Sequence, residues 1–382
     1  MVNCTRLLYE RPCLHDNIRY AAGKPADNNR PIVVWNVTKR CNLGCIHCYI
    51  DSRSNSDGGE LTTVEAKRMI DGLAEFGAPA LLFSGGEPLL RKDLFELGAY
   101  AKSLKMRTVI STNGSLLTGD TAKKISDAGF SYVGISLDGL EATNDKFRKQ
   151  RGAFKKSLQG IRNCIKNKVR TGLRFTINKY NFKDITGIFN LLEAEGIPRA
   201  CFYHLVYSGR ARSMREDDLT HQEARDTMEL VFDRCAKLCN KEIEILTVDN
   251  HADGIFLYLR LKKENPLQAE DALRLLKVNG GNKSGIGIAN IDELGFVHPD
   301  QFWRHYSLGN VRERKFSEIW LDDGNDLLRN LRNRASLLQG KCSRCNFKDS
   351  CGGNFRVRAE AVFGDIWQED PACYLTEEEI AS

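Results

Sequence analysis

Three cysteines stand within eight residues, Cys41-Asn42-Leu43-Gly44-Cys45-Ile46-His47-Cys48, spaced C-x3-C-x2-C. Thiolates this close can fold around one inorganic centre. Three are one short of the four that a closed zinc or iron–sulfur site takes. Either a fourth ligand comes from elsewhere, or one metal is left open for chemistry. His47 is available to zinc, but it lies between two ligands and would strain the loop. A second set, Cys342-x2-Cys345-x5-Cys351 with Cys373 beyond, has four thiols and can close a site by itself. Its spacing leaves a structural zinc and a [4Fe–4S] cluster equally open. A third stretch, Gly85-Gly86-Glu87, offers two residues without side chains, where backbone can approach a ligand closely. Its glutamate can take the charge of an ammonium group.

Elements must bring these stretches together. Pro31 to Val37 is apolar, β-branched and aromatic, which reads as a buried strand ending just before the first cysteines. From there to about residue 207 strand and helix alternate. Strands are expected at 32–37, 80–84, 107–112, 131–137, 171–177 and 200–206. Helices are expected near 62–76, 91–104, 118–128, 154–168 and 182–195. Thr62 and Glu65 form a capping-box pattern, and Gly77, Gly129 and Gly196 fall where a left-handed cap residue is wanted. Six βα units imply a parallel sheet, either open and doubly wound or a barrel of six units. Each strand is followed by the cysteines or by polar and Gly-rich residues: Ser84-Gly85-Gly86-Glu87, Thr112-Asn113-Gly114, Leu137-Asp138-Gly139, Asn178 and Tyr207-Ser208-Gly209-Arg210. Parallel α/β folds bind ligands at the C-terminal ends of their strands, so these loops are expected to face one cavity.

The chain divides into an irregular arm (1–30), the alternating region (31–210), a helical connecting region (211–284) and a C-terminal unit (285–382). The connecting region reads as helices near 221–239, 251–262 and 266–278. The C-terminal unit opens with a hairpin, 285–291 and 295–298, followed by a helix near 313–334. Cys4 and Cys13 read as ordinary thiols, and Cys235 and Cys239 as packing residues.

At 382 residues, 42% apolar and 28% charged, the chain can bury a large core in two domains. No window approaches 18 uninterrupted apolar residues, and the first residues are too charged for a signal peptide. A cytoplasmic protein is expected, and there the 13 cysteines point to metal or catalysis rather than a disulfide framework. The net charge of +6 suits an anionic substrate, and no basic stripe with interleaved aromatics argues for nucleic acid.

C-x3-C-x2-C after the first strand, with Gly-Gly-Glu-Pro after the second, resembles the radical S-adenosylmethionine (SAM) enzymes. The resemblance implies a partial (β/α)6 TIM barrel. It implies that Cys41, Cys45 and Cys48 hold a [4Fe–4S] cluster whose fourth iron chelates SAM, with Gly85, Gly86 and Glu87 as SAM contacts. By the same resemblance Asn113, Ser136 and Asp138 reach SAM. The C-terminal unit is similar to the SPASM/twitch type of auxiliary-cluster domain, which implies a second [4Fe–4S] cluster on Cys342, Cys345, Cys351 and Cys373. That cluster would pass an electron or staple the unit in place. Asp300 stands where many such domains have a cysteine, so Asp300 or His298 is an alternative ligand.

Five segments narrow the resemblance: 35–38, 249–254, 298–303, 351–354 and 370–374. They resemble the radical SAM enzymes of siroheme-derived haem synthesis. One branch turns 12,18-didecarboxysiroheme into Fe-coproporphyrin III by removing acetate side chains through a 5′-deoxyadenosyl radical. A sister branch acts on propionates of the same precursor in haem d1 synthesis. The implied partners are an iron tetrapyrrole and a one-electron donor such as ferredoxin or flavodoxin, with no nucleic acid and no membrane. For such a substrate Arg148, Arg151, Arg210 and Arg212 are candidates to hold carboxylates. His204, His251, His298 and His305 are candidates for an axial imidazole, with His251 leading, and Asp253 and Tyr203 for a proton donor. Two other classes compete: a peptide-modifying SPASM enzyme, for which the 30-residue arm looks short of a docking domain, and a non-enzymatic zinc protein.

Overall fold

Strand and helix alternate as expected in the computed structural model, which describes residues 1–9, 30–55, 58–238 and 240–382. The six expected strands are β2 (Ile32–Asn36), β3 (Ala80–Ser84), β4 (Arg107–Thr112), β5 (Tyr132–Ser136), β6 (Thr171–Ile177) and β7 (Arg199–His204). Each pairs in parallel with the next. Apolar residues fill the space between sheet and helices, with Val33, Leu81, Ile110, Val133, Leu173 and Ala200 fully buried. The helix Thr63–Phe76 starts at the expected capping box: Oγ1 of Thr62 accepts from the Glu65 amide, and Glu65 accepts from the Thr62 amide. It stops at Gly77, whose φ of 80° only glycine adopts without strain.

The parallel sheet is longer than six strands. A seventh strand, β8 (Glu244–Val248), pairs in parallel with β7 inside the region read as helical. The expected irregular arm begins with β1 (Val2–Asn3), antiparallel to β8, followed by a helix, Cys4–Tyr9. Asn3 donates to Glu244, and the hydroxyl of Thr5 accepts from the Ile245 amide, so these residues cover what would be an open edge. Cys4 is fully buried, which pushes its thiol well above the usual range. The readings of Cys13 and Cys239 lie outside the described residues.

At the other edge, β9 (Ile288–Ile291) pairs in parallel with β2. It makes the expected hairpin with β10 (Phe296–His298), and β11 (Gly309–Asn310) completes an eleven-stranded sheet. The C-terminal unit thus continues the sheet of the alternating region. Its expected helix over 313–334 is two helices, Phe316–Trp320 and Asp326–Arg332. Between them Asp322 accepts from the Gly324 amide and Asn325 caps the second helix, two side-chain-to-backbone bonds that compete with a continuous helix.

The sheet curves into a partial barrel. β2 and β7 are five strand steps apart, which in a flat sheet is about 24 Å at ~4.8 Å a step. Yet the loops that follow them meet: the Arg210 amide donates to the Cys48 carbonyl at 2.9 Å. The C-terminal strand ends therefore surround one space.

Candidate active site

Cys41, Cys45 and Cys48 pack against one another on the loop leaving β2. The loop is fixed from several sides. The Cys41 amide donates to the Arg53 carbonyl at 2.7 Å, and the Ile46 amide to the Phe147 carbonyl at 3.1 Å. Arg210 donates to the Cys45 carbonyl (2.8 Å), to Asp51 (3.0 Å) and to the Ser52 carbonyl (2.8 Å). Donors also face the sulfurs. The Leu43 amide is 3.4 Å from Sγ of Cys41, the Ser52 amide 3.4 Å from Sγ of Cys48, and Nη1 of Arg148 3.4 Å from Sγ of Cys45. Burial pushes the Cys41 thiol up to about 11 and raises that of Cys45. Three clustered thiolates, two of them buried, need a cationic centre between them. These soft ligands, one short of a closed site, suit an iron–sulfur cluster.

The two glycines serve the loop as much as any ligand. A Cβ on Gly86 would lie 2.0 Å from the Arg40 carbonyl oxygen, and one on Gly85 2.4 Å from that of Thr38. The amides of Gly86 and Glu87 donate to those same carbonyls, both at 2.8 Å. Only bare backbone lets this segment lie against the root of the cysteine loop. Both glycines also line the cavity, whereas Glu87 does not. Its fully buried carboxylate accepts from Thr112 Oγ1 (2.7 Å), the Asn113 amide (2.8 Å) and the Leu89 amide (3.1 Å). These bonds lock the loop after β3 to the loop after β4. Glu87→Ala would leave those donors buried and unpaired. It is expected to lower unfolding stability by about 1–3 kcal/mol in chemical denaturation. An unchanged midpoint would remove this role from Glu87.

Asn113 and Ser136 line the cavity. Asn113 binds Asn42 at 2.9 Å and stands 3.9 Å from Sγ of Cys41. Asp138 is buried behind them. It accepts from the Thr176 amide (2.7 Å) and forms an ion pair with Arg148, with His47 3.4 Å away. Burial lowers the pKa of His47 to about 4, so it is neutral near pH 7. Arg148 sits on a helix, Glu141–Arg148, that the sequence reading did not place.

Of the four arginines proposed for substrate carboxylates, only Arg148 lines the cavity, and Asp138 already neutralises it. Arg210 is spent on the cysteine loop, while Arg151 and Arg212 are exposed. Of the four histidines, only His204 lines the cavity. Its Nε2 is 2.9 Å from Asp253, which also accepts from the Tyr374 hydroxyl at 2.7 Å. Asp253 is therefore fully buried and engaged beneath His204. His251 is buried away from the cavity, and its amide donates to Asn354 at 2.6 Å. Burial holds its pKa well below the usual range. Both nitrogens of His298 are engaged, with the Tyr306 carbonyl and Asp292, and His305 pairs with Glu360. Tyr203 lines the cavity, and burial pushes its phenol above the usual range.

Several lining residues had no site role in the sequence reading, though 249–254 and 298–303 carried the resemblance: Arg174 and Thr176 from β6, Asp249 after β8, and Gln301 and Phe302 from the C-terminal unit. Asp249 holds a left-handed φ of 65°, costly for a non-glycine residue and a recurrent mark of functional sites. Burial raises its carboxyl to about 6. Phe302 closes the cavity beside Tyr49, ring centroids 5.2 Å apart, and its carbonyl accepts from Ser208. The C-terminal unit thus forms part of the cavity wall.

The second thiol set lies in the C-terminal unit. Burial raises all four thiols, Cys373 to about 12 and Cys351 well above the usual range, and Cys351 feels the charges of Cys373, Cys342 and Cys345. These four soft donors stand close enough to interact and suit a second cluster. Asp300 is fully engaged elsewhere, with Ser284 (2.7 Å) and the Phe302 amide (2.9 Å), and burial pushes it up to about 7.

A parallel partial barrel with a three-cysteine loop at its mouth defines the radical SAM fold. The chain belongs to the radical SAM superfamily, whose family model matches residues 35–192, and it is a radical SAM enzyme. It is 55% identical over 358 residues to Fe-coproporphyrin III synthase of Methanosarcina barkeri, covering 92% of this chain and 90% of the relative. It is 42% identical to pre-heme d1 synthase of Dinoroseobacter shibae, covering 94% and 88%. Among solved structures, SuiB of Streptococcus suis bound to the precursor peptide SuiA superposes with a TM-score of 0.72, covering 91% of this chain and 76% of that one. At 17% identity this likeness shows the fold.

Proposed function

We propose that this enzyme converts 12,18-didecarboxysiroheme to Fe-coproporphyrin III by removing two acetate side chains, in a siroheme-dependent route to haem. The observation that carries this reading is the 55% identity, across nine-tenths of both chains, to the Methanosarcina barkeri synthase of that product. The cavity at the strand ends supports it, lined by the three cysteines, Ser136, His204 and Phe302. Cys41, Cys45 and Cys48 would hold a SAM-binding cluster, and Cys342, Cys345, Cys351 and Cys373 an auxiliary one. When bound, the first cluster and SAM supply the reductive cleavage that starts hydrogen abstraction from a substrate side chain. The protein's part is to fix the cysteine loop through Gly85, Gly86 and Arg210. Ser136 and Asn113 are presented to SAM, and Phe302 helps close the cavity wall. His204, held by Asp253, would be the candidate imidazole to meet substrate. A small one-electron carrier such as ferredoxin or flavodoxin would supply the electron, in the cytoplasm. No helix of the described residues is long and apolar enough to cross a membrane.

The test is anaerobic reconstitution followed by incubation with didecarboxysiroheme, SAM and dithionite, with the product weighed by mass spectrometry. About eight irons per chain and the mass of Fe-coproporphyrin III are expected, from two four-iron clusters. A product altered at its propionates would move the assignment to the haem d1 branch, to which the 42% relative belongs by name. No turnover of this precursor would sink both.

A further inference from the structure

We infer that Arg174 is an anchor for a carboxylate side chain of the tetrapyrrole; the inference rests on the substrate class proposed above. Arg174 lies on β6 with its guanidinium on the cavity wall. Its side chain runs sideways across the neighbouring strand. Nη1 donates to the hydroxyl of Ser111 on β4, two strands away, and Cζ lies 4.7 Å from the centroid of the Tyr203 ring on β7. The strand between is notched to let it pass. Gly134 on β5 is the register partner of Ser111, and a Cβ there would stand 2.7 Å from Cδ of Arg174.

A guanidinium held this way by a hydroxyl and an aromatic face still lacks an anion. Among the described residues it forms no ion pair, although the charge of Asp249 across the cavity wall is felt. A half-buried cation on the cavity wall can take an anionic partner, and the planar fork of arginine matches a carboxylate bidentately. Siroheme-derived tetrapyrroles carry several carboxylates. SAM carries one too, so the two ligands are titrated separately. Arg174 stands on the β6–β7 wall with Tyr203.

The experiment titrates reconstituted wild-type, Arg174→Gln, Arg174→Lys and Gly134→Ala enzymes with Fe-coproporphyrin III, followed by porphyrin absorbance, and separately with SAM. Loss of one charge-assisted pair predicts porphyrin affinity ~10- to 100-fold weaker in Arg174→Gln. A smaller loss is expected in Arg174→Lys, which keeps the charge but not the fork. Gly134→Ala removes no charge and should weaken porphyrin binding by displacing the guanidinium, so it tests the site even if Arg174→Gln does not fold. Wild-type porphyrin affinity in these variants overturns the inference. So does a loss confined to SAM, which would make SAM's carboxylate the ligand. A wild-type enzyme that binds no carboxylated porphyrin overturns the substrate reading itself, and the inference with it.

Discussion

Replacing Cys45 with alanine is expected to abolish SAM cleavage, lowering 5′-deoxyadenosine formation below detection, and to remove about four irons per chain. Cys45 is the cysteine most tightly built into the site. Its carbonyl accepts from Arg210 and its sulfur faces Arg148, which is itself paired with Asp138. With the sulfur gone, two ligands remain for a cluster already one ligand short, and no other thiol stands on this loop. The four C-terminal thiols belong to another part of the fold, so their irons should stay. Iron analysis together with assay of 5′-deoxyadenosine checks both parts. Retained cleavage in Cys45→Ala would mean that the catalytic cluster sits on the C-terminal cysteines. Loss of all iron would mean that the two sites assemble together.

The cysteine loop and the strand ends were legible because their signals are local. A buried strand needs a run of apolar residues, a helix start needs its capping pair, and a metal loop needs its spacing. β8 was not, because Glu244–Val248 is five residues long and is flanked by two strongly helical stretches. Only its pairing with β7 and β1 makes it a strand. The same limit governed the side chains. Sequence reading looked for substrate arginines on loops after strands, where charge is expected to be free. Arg148 and Arg210 proved to be committed to Asp138 and the cysteine loop. Arg174, which forms no ion pair among the described residues, lies within a strand and reads from sequence as one more polar residue in an alternating pattern. His251 stands among polar neighbours that looked functional, yet Asn250 and Asn354 bond to each other and to nearby backbone, binding the C-terminal unit to the barrel. Whether a polar residue is free or engaged is often settled by contacts more than a hundred positions away, as for Arg210 and Asn354, which no local pattern records.

Replacing Asp370 with asparagine is expected to destabilise the protein by about 3–5 kcal/mol, because it leaves a buried guanidinium without its counter-charge. Asp370 and Arg358 have fully buried side chains, joined by two hydrogen bonds of 2.9 and 2.7 Å. The remaining guanidinium donors reach the Leu205 carbonyl just past β7 (3.1 Å) and the Asp249 carbonyl just past β8 (2.6 Å). Asp370 also accepts from the amides of Phe355 and Ala372, and its carbonyl accepts from the amide of Cys373. One ion pair therefore ties the barrel's strand ends to the segment that carries the last auxiliary cysteine. Burial acts to raise the carboxyl's pKa, but Arg358, with the Ala372 amide and Arg356, outweighs it and holds the group below the usual carboxylate range. A depressed folded-state pKa contributes stability that is complete above the unfolded value, about 3.9, and is lost as pH falls through the folded one. The gap between wild type and Asp370→Asn should thus stay constant from about pH 5 to 8 and narrow below about pH 4. Denaturant titrations across that range measure it. A gap that stays constant into acid would deny the ion pair its role. Because Leu205 and Asp249 border the cavity, loosening Arg358 should also weaken porphyrin binding before the chain unfolds.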